Sequence, residues 1–396
     1  VATFGVRFLG CKVSQTDAQA VRELLRSEGH LEHGEGAEIA VVNTCCVTNE
    51  AVAKSRKEVA RAARTHGRVY VTGCAANLAT EPFAAVAENV VVVRRRAEDT
   101  PAFVAGDVGA IGCVDGEARL DRVRAFVKIQ DGCSFSCAFC VVPLVRGPSR
   151  SRRADAIVNE VRRRVAQGHR EVVLTGINLG CYRDRDARFT LARLVRAVGA
   201  VDGLARLRLS SVEVNHVDAE LEAALRETPV VARHLHVPLQ SGDDGVLRAM
   251  GRRYDAATYL RRLARLSDFN LTADVIIGFP GEDDAAFANT LRVVEAAGIT
   301  KVHTFPYSPR PGTATAAHDP VPPAVKKERA ALLRAVSHDA CLARWRTKVG
   351  YEDDVLIDRP GRGYGDDYSP WLVRGRVGEL VRVRAARVCE DGIVAA

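Results

Sequence analysis

Cysteine is the residue type in this chain whose spacing most directly implies chemistry. Cys133, Cys137 and Cys140 fall within DGCSFSCAFC, separated by three and two residues, and no histidine or cysteine follows closely enough to complete a set of four. Structural zinc sites pair one C-x2-C with a second pair and close with four ligands. Three thiolates suit a cubane [4Fe–4S] cluster, whose fourth iron then stays open to another ligand. A cluster is the expected occupant; zinc, or a loop of cysteines without metal, are the alternatives. A second group is dispersed: Cys11, Cys45 and Cys74 each follow a short apolar run, and Cys46 adjoins Cys45. The total of eleven cysteines is odd, which argues against a full disulfide set. Cys113, Cys181, Cys341 and Cys389 are isolated and read as small buried hydrophobes.

The elements that must position these thiols follow from periodicity. In residues 1–110 the runs VRFLG (6–10), IAVVNT (39–44), VYVTG (69–73) and VVVV (90–93) read as buried parallel strands, with helices over 16–28 and 50–66. A Rossmann-like α/β domain is predicted. Ligands gather beyond the carboxyl ends of strands in such sheets, so Cys11, Cys45 and Cys74 at three of those ends form a constellation. If 39–44 is a strand, Cys45 and Cys46 point opposite ways and only one reaches the site. Residues 111–122 have no clear period and read as a linker. Over 123–348, six βα repeats predict an open, partial (β/α)6 barrel of TIM type, with strands at 125–130, 171–176, 205–211, 233–237, 272–277 and 299–306. Active sites of such barrels lie at the carboxyl ends of the strands, and the three-cysteine loop follows the first strand. Residues 350–396 alternate as in LVRVRAARV (380–388) and predict a small β-barrel.

With these residues in view, C-x3-C-x2-C after the first barrel strand resembles the radical S-adenosylmethionine (SAM) superfamily. The resemblance implies that the open iron chelates SAM and that an electron from the cluster splits it to a 5′-deoxyadenosyl radical. Phe139 matches the aromatic position near the adenine. LTGIN (174–178), with Gly176 and Asn178, resembles the motif contacting the SAM amino group; HVPLQSGDD (236–244), with Gln240, resembles the ribose side; DVIIGFPGE (274–282), with Gly278, resembles the adenine-side glycine motif. Glu213 is placed to hydrogen-bond SAM or to structure its own loop. His216, His234 and His236 lie near strand ends, where packing is at least as good a reading as function. GCKVSQTDA (10–18), VVNTCCVTNEA (42–51) and VTGCAAN (71–77) narrow the resemblance to methylthiotransferases, which implies a second [4Fe–4S] cluster on Cys11, Cys45 and Cys74. The Asn-Thr-Cys pattern selects Cys45 over Cys46. The family resemblance makes the chain an alkylthio-group transferase that consumes two SAM, a sulfur donor and a reducing electron donor. It also makes 350–396 a TRAM-like RNA-binding module, although a short one.

Family members act on adenosine 37 of tRNA or on an aspartate of a ribosomal protein. The context of Cys133, the GCKVSQ stretch and FPYSPRPGT (305–313) resemble the branch acting on N6-threonylcarbamoyladenosine, with the isopentenyladenosine branch and the ribosomal-protein branch as alternatives. The expected macromolecular partner is therefore the tRNA anticodon stem-loop. A net charge of +8, with 57 lysines and arginines, permits phosphate binding without proving it. Arg374, Arg376, Arg382, Arg384 and Arg387 predict a basic stripe on the last module, with a solvated strand face as the alternative. RGPSRSRR (146–153) is a second basic segment, read as contacting SAM or RNA or as opening the next helix. No apolar run of 18 residues exists and no leader is evident, so a cytoplasmic protein without a membrane partner is expected.

Overall fold

The computed structural model describes residues 1–109 and 123–396; the expected linker at 111–122 and Cys113 lie outside the described residues. The chain packs as two units. One gathers the N-terminal sheet, Asp131–Arg150 and Ser308–Ala316; the other holds residues 123–130, Ser151–Tyr307 and Ala317–Ala396. The cysteine-rich loop thus belongs with the N-terminal sheet and not with the barrel strand it follows.

In the first unit, β1 (Thr3–Phe8), β2 (Leu31–Glu32), β3 (Ile39–Thr44), β4 (Arg68–Gly73) and β5 (Val90–Val92) form a parallel sheet in the order β2-β1-β3-β4-β5. Every residue of β3 is buried, as expected of a central strand covered on both faces. The first strand lies earlier than expected, and Leu9 and Gly10 form the turn into α1 (Lys12–Ser27). The second helix, α2 (Asn49–Thr65), starts where the Thr48 side chain accepts a hydrogen bond from the Ala51 amide. The carboxyl ends of three neighbouring strands are level: Phe8 pairs with Asn43, and Thr44 with Gly73. A short helix, α3 (Cys74–Leu78), follows β4 at once.

The loop from Asp131 ends in α4 (Val142–Arg146). Val141 and Val145, each 5% exposed, are buried in one cluster with Ala40, Val42, Val71 and Phe83 of the N-terminal domain. Burying a side chain of that size contributes about 1.5–3 kcal/mol, enough to hold the cysteine loop to this core.

In the second unit, β6 (Arg124–Lys128), β7 (Glu171–Thr175) and β8 (Arg206–Leu209) form one parallel sheet, and β9 (His234–His236), β10 (Asn270–Ile277) and β11 (Lys301–Pro306) another. Isolated bridges at Leu207–Val231 and Ser211–His236 connect them into the expected open six-strand barrel. Residues from β12 (Glu352–Arg359), β13 (Arg362–Tyr364), β14 (Pro370–Leu372), β15 (Leu380–Cys389) and β16 (Gly392–Ala395) close a separate barrel in the order β12-β13-β14-β16-β15.

A loop of this small barrel plugs the amino-terminal ends of the large barrel's strands. Glu171 is 1% exposed and lies 3.2 Å from Arg124, 3.3 Å from Arg206 and 2.9 Å from Arg208. Arg208 donates to the carbonyls of Gly365 and Asp366 at 2.7 and 2.8 Å, and Tyr368 stacks on His234 with ring centres 5.0 Å apart. Asn270 donates to the Asp367 carbonyl at 2.7 Å. Glu171 is thus shared by three arginines, whose other donors meet the Asp358 carboxylate and the Tyr368 hydroxyl (Arg124) and the backbone carbonyls of Gly365 and Asp366 (Arg208).

Candidate functional site

The level ends of β1, β3 and β4 bring Cys11, Cys45 and Cys74 together. Neighbouring strands lie about 4.8 Å apart, so three adjacent ends place three loop residues within one small site. Cys11 caps the start of α1 and Cys74 opens α3. Gly73 adopts φ +91°, and a Cβ there would lie 2.5 Å from Asn43 Oδ1 and 2.6 Å from the Thr44 carbonyl. Only glycine lets the chain turn that tightly into Cys74. The same Gly-Cys device recurs at Gly132, where φ is +70° and a Cβ would lie 2.2 Å from the Pro148 carbonyl.

Burial pushes the Cys45 thiol up to about 11, and the Cys74 and Cys11 thiols add to that rise. A hydrogen bond from the Cys46 thiol and the neighbouring Arg146 guanidinium hold the Cys74 thiol below its ordinary range, against the cost of its own burial. Cys46 is 2% exposed, and its hydrogen bond to Cys74 raises its pKa. Cys46 packs in one apolar cluster with Ala40, Val42 and Val71, whereas the Cys45 side chain lies beside Gly10.

Sequence reasoning missed the residue that organises this site. Arg146 is 7% exposed and donates from Nε to Cys74 Sγ at 3.1 Å, from Nη2 to Asp17 at 2.8 Å and from Nη1 to Asp131 at 3.0 Å. Asp131 also accepts the Gly132 amide at 2.8 Å, immediately before Cys133. The basic segment RGPSRSRR therefore does not present Arg146 to a nucleic acid. Arg150 pairs with Glu98, Arg152 with Glu160, and Arg153, just before the helix Ala154–Ala166, with Asp155. The only sequence signal was a charge at the end of the apolar run VVPLVR.

Cys133, Cys137 and Cys140 are half-buried on their loop, as is Phe139. The Phe135 amide donates to Cys133 Sγ at 3.4 Å, and the Cys140 amide to the Cys137 carbonyl at 3.1 Å. Thr315 donates to the Ala138 carbonyl at 3.0 Å, while Arg310, 3% exposed, donates to the Cys46 carbonyl at 3.3 Å. The segment Ser308–Ala316 thereby braces both cysteine loops. Among the described residues, no three Cys, His, Asp or Glu side chains are gathered as for a single metal ion. The candidate donors are soft thiols, at neighbouring strand ends for Cys11, Cys45 and Cys74 and on one loop for Cys133, Cys137 and Cys140, a donor type that suits cluster iron better than a hard cation.

The second unit carries the other expected residues, all past the carboxyl ends of β7 to β10. Gly176 leaves room for Gln130, whose carbonyl oxygen would lie 2.9 Å from a Cβ there. Gln130 Oε1 accepts the amides of Ile177 and Asn178, both at 3.0 Å, so it clamps the TGIN loop; this role was not anticipated. Glu213 is 6% exposed and accepts the Asn215 amide at 3.0 Å, with Arg252 3.4 Å away, so it structures its loop. Gln240 is a non-glycine residue at φ +67°, a conformation sparsely populated outside functional or over-determined sites. Gly278 has φ +70°, and the space of its absent Cβ is filled by the Lys326 chain at 2.6 Å. His236 bonds Thr272 at 2.9 Å and Asp274 at 3.2 Å, and His234 bonds Thr272 at 3.1 Å, a packed polar network. Cys181 lies 3.6 Å from His216.

The stripe expected on the last module is only partly basic. Arg382 pairs with Glu352 at 2.9 Å and Arg384 with the same carboxylate at 3.5 Å, because β12 and β15 bring these positions face to face. Arg374, Arg376 and Arg387 are exposed, and among the described residues no carboxylate pairs with their guanidinium groups; only the Arg376 amide donates to a carboxylate, that of Glu379. A bulge between Ala385 and Arg387 turns Arg387 outward.

Residues 127–294 match the radical SAM superfamily and residues 3–94 match uncharacterized protein family UPF0004. The threonylcarbamoyladenosine tRNA methylthiotransferase MtaB of Thermotoga maritima is 33% identical over 99% of this chain and 96% of its own. That of Bacillus subtilis is 32% identical over 97% and 94%. The tRNA-2-methylthio-N(6)-dimethylallyladenosine synthase of Novosphingobium aromaticivorans is 34% identical over 96% and 94%. In fold, the chain is similar to the radical SAM methyltransferase TsrM of Kitasatospora setae, with a TM-score of 0.58 and 15% identity over 80% of this chain and 77% of that one.

Proposed function

The chain belongs to the radical SAM tRNA methylthiotransferase family, and from that premise we propose that it adds a methylthio group to C2 of N6-threonylcarbamoyladenosine 37 in tRNA. The observation that carries the reading is the convergence of Cys11, Cys45 and Cys74 on three level strand ends, in the unit that also holds the Cys133–Cys140 loop. Cys133, Cys137 and Cys140 hold one [4Fe–4S] cluster, and Cys11, Cys45 and Cys74 hold a second. Bound there, the two clusters and two molecules of SAM, with a sulfur donor and an electron donor, supply the carbon activation and methylthio transfer.

The chain's own residues bind, orient and exclude water. Phe139, next to Cys140 in the sequence, lies near the adenine of SAM. Gly176, Asn178, Gln240 and Gly278 contact SAM at the carboxyl ends of the barrel strands, Glu213 holds its own loop in place beside them, and Gln130 keeps the Gly176–Asn178 loop in shape through its two accepted amides. Arg374, Arg376 and Arg387 meet phosphates of the anticodon stem-loop, since guanidinium forks match phosphate geometry.

A second reading has support of its own: the N(6)-dimethylallyladenosine synthase relative is as similar as the MtaB relatives. Reduced, reconstituted protein given SAM and either hypomodified tRNA distinguishes them. Methylthio product and 5′-deoxyadenosine on the threonylcarbamoyl substrate alone support the proposal. Product on the isopentenyl substrate alone would replace it with the second reading.

A further inference from the structure

Arg146 is buried against a cysteine of one triad and is tied by Asp131 to the loop of the other. Its Nε donates to Cys74 Sγ at 3.1 Å, and its two Nη atoms are held by Asp17 at 2.8 Å and Asp131 at 3.0 Å. A side chain fixed on three sides, with both carboxylates also buried, cannot swing away to serve solvent or a polyanion. Val145, the residue before it, anchors its helix in the apolar core, so the guanidinium is aimed by packing as well as by charge. The charges around Cys74 are thus a fixed cation and two fixed anions. Hydrogen bonds to cluster sulfurs and local net charge set the reduction potential of iron–sulfur centres, and partners of the ligands are part of a metal site's design.

We propose that Arg146 is a positioning residue that raises the reduction potential of a cluster held by Cys11, Cys45 and Cys74, while Asp17 and Asp131 moderate that rise. The inference rests on the reading of those three cysteines as cluster ligands. Reduction adds an electron to the cluster and so adds negative charge, which an adjacent guanidinium stabilises and an adjacent carboxylate opposes. Removing the guanidinium must lower the potential, and removing a carboxylate must raise it. A merely structural role for the three residues gives no such opposition of sign. Through Asp131 and Gly132, the same guanidinium also fixes the start of the loop that carries Cys133.

The test uses full-length protein in which Cys133, Cys137 and Cys140 are all changed to Ala, so that only the N-terminal triad binds iron. After reconstitution, the midpoint potential is read by redox titration with electron paramagnetic resonance. Arg146→Gln is expected to move it to more negative values, Asp17→Asn to more positive values, and Arg146→Lys to fall between Arg146→Gln and the parent. Val145→Ala loosens the same helix without changing charge and is expected to leave the potential where it was. If Arg146→Gln retains no cluster, the Arg146→Lys and Asp17→Asn shifts decide. A cluster whose potential ignores these substitutions, or moves the same way in Arg146→Gln and Asp17→Asn, overturns the inference alone. Absence of any cluster from the parent with Arg146 intact overturns the reading of the triad, and the inference with it.

Discussion

Cys45 and Cys46 are both buried against Cys74, one thiol more than a three-point grip on a cluster requires. Cys45 senses Cys11 as well as Cys74, whereas Cys46 is held by its bond to Cys74 and by Arg310 on its carbonyl. Cys45→Ala is therefore expected to cost about four irons per chain, one [4Fe–4S] cluster, and Cys46→Ala none. Iron analysis after reconstitution decides, and loss confined to Cys46→Ala would reverse the assignment. The cysteines themselves were legible because their spacing is chemistry. Arg146 and Gln130 were not, because a lone polar residue at the end of an apolar run acquires its meaning only from groups far along the chain. Gln130→Ala would orphan the amides of Ile177 and Asn178, at about 1–3 kcal/mol for each buried group. It should weaken SAM binding in equilibrium dialysis; unchanged affinity would remove Gln130 from the binding loop's support.

The elements behave as the apolar runs and caps imply. Strand positions in both α/β parts follow from buried runs of valine, leucine and isoleucine, and strand ends from the loops that carry cysteine or glycine. Gly73 shows how narrowly such an end is specified. Gly73→Ala meets Asn43 and Thr44 and forces a left-handed backbone onto a residue with a side chain, a strain of about 1–3 kcal/mol before the clash is counted. Loss of bound iron with a lowered Tm is the expected result, and a fully loaded variant of unchanged Tm would contradict it. What periodicity could not reveal was cross-strand register in the last barrel. Glu352 and Asp354 stand opposite Arg384 and Arg382 only because β12 pairs with β15 in that register. Substituting Arg374, Arg376 or Arg387 by Ala should each reduce the salt dependence of tRNA binding by about one counterion unit. The same change at Arg382 or Arg384 should do less. Filter binding across a salt series reads this, and equal effects at all five positions would restore the continuous stripe.

At the scale of the whole molecule, the linear order of segments and their packing do not coincide. The cysteine loop and Ser308–Ala316 join the N-terminal sheet, and the small C-terminal barrel joins the large one. Neither association has a local sequence signature, since both rest on contacts between residues far apart in the chain. The second one depends on charge. Burial disfavours the charged form of Asp367, yet Lys348 and Arg344 hold its pKa down to about 2. Glu171 is likewise held low by Arg208, Arg124 and Arg206, against its burial. Carboxylates with depressed folded pKa values stabilise above their unfolded value of about 4 and lose that contribution as pH falls through the folded value. The plug is therefore expected to release on acidification from about pH 4 toward 2, and not on raising the pH. Both tryptophans, Trp345 and Trp371, lie in the core of this module, so their fluorescence reports the event. Glu171→Ala removes the buried carboxylate shared by Arg124, Arg206 and Arg208 and should destabilise by about 3–5 kcal/mol. The central claim, a methylthio group placed on one tRNA nucleoside, is tested most directly by mass spectrometry of nucleosides from tRNA of cells with and without this gene. Without the gene, 2-methylthio-N6-threonylcarbamoyladenosine is expected to disappear and its unmethylthiolated precursor to accumulate. An unchanged nucleoside profile, or loss of the isopentenyl derivative in its place, would contradict it.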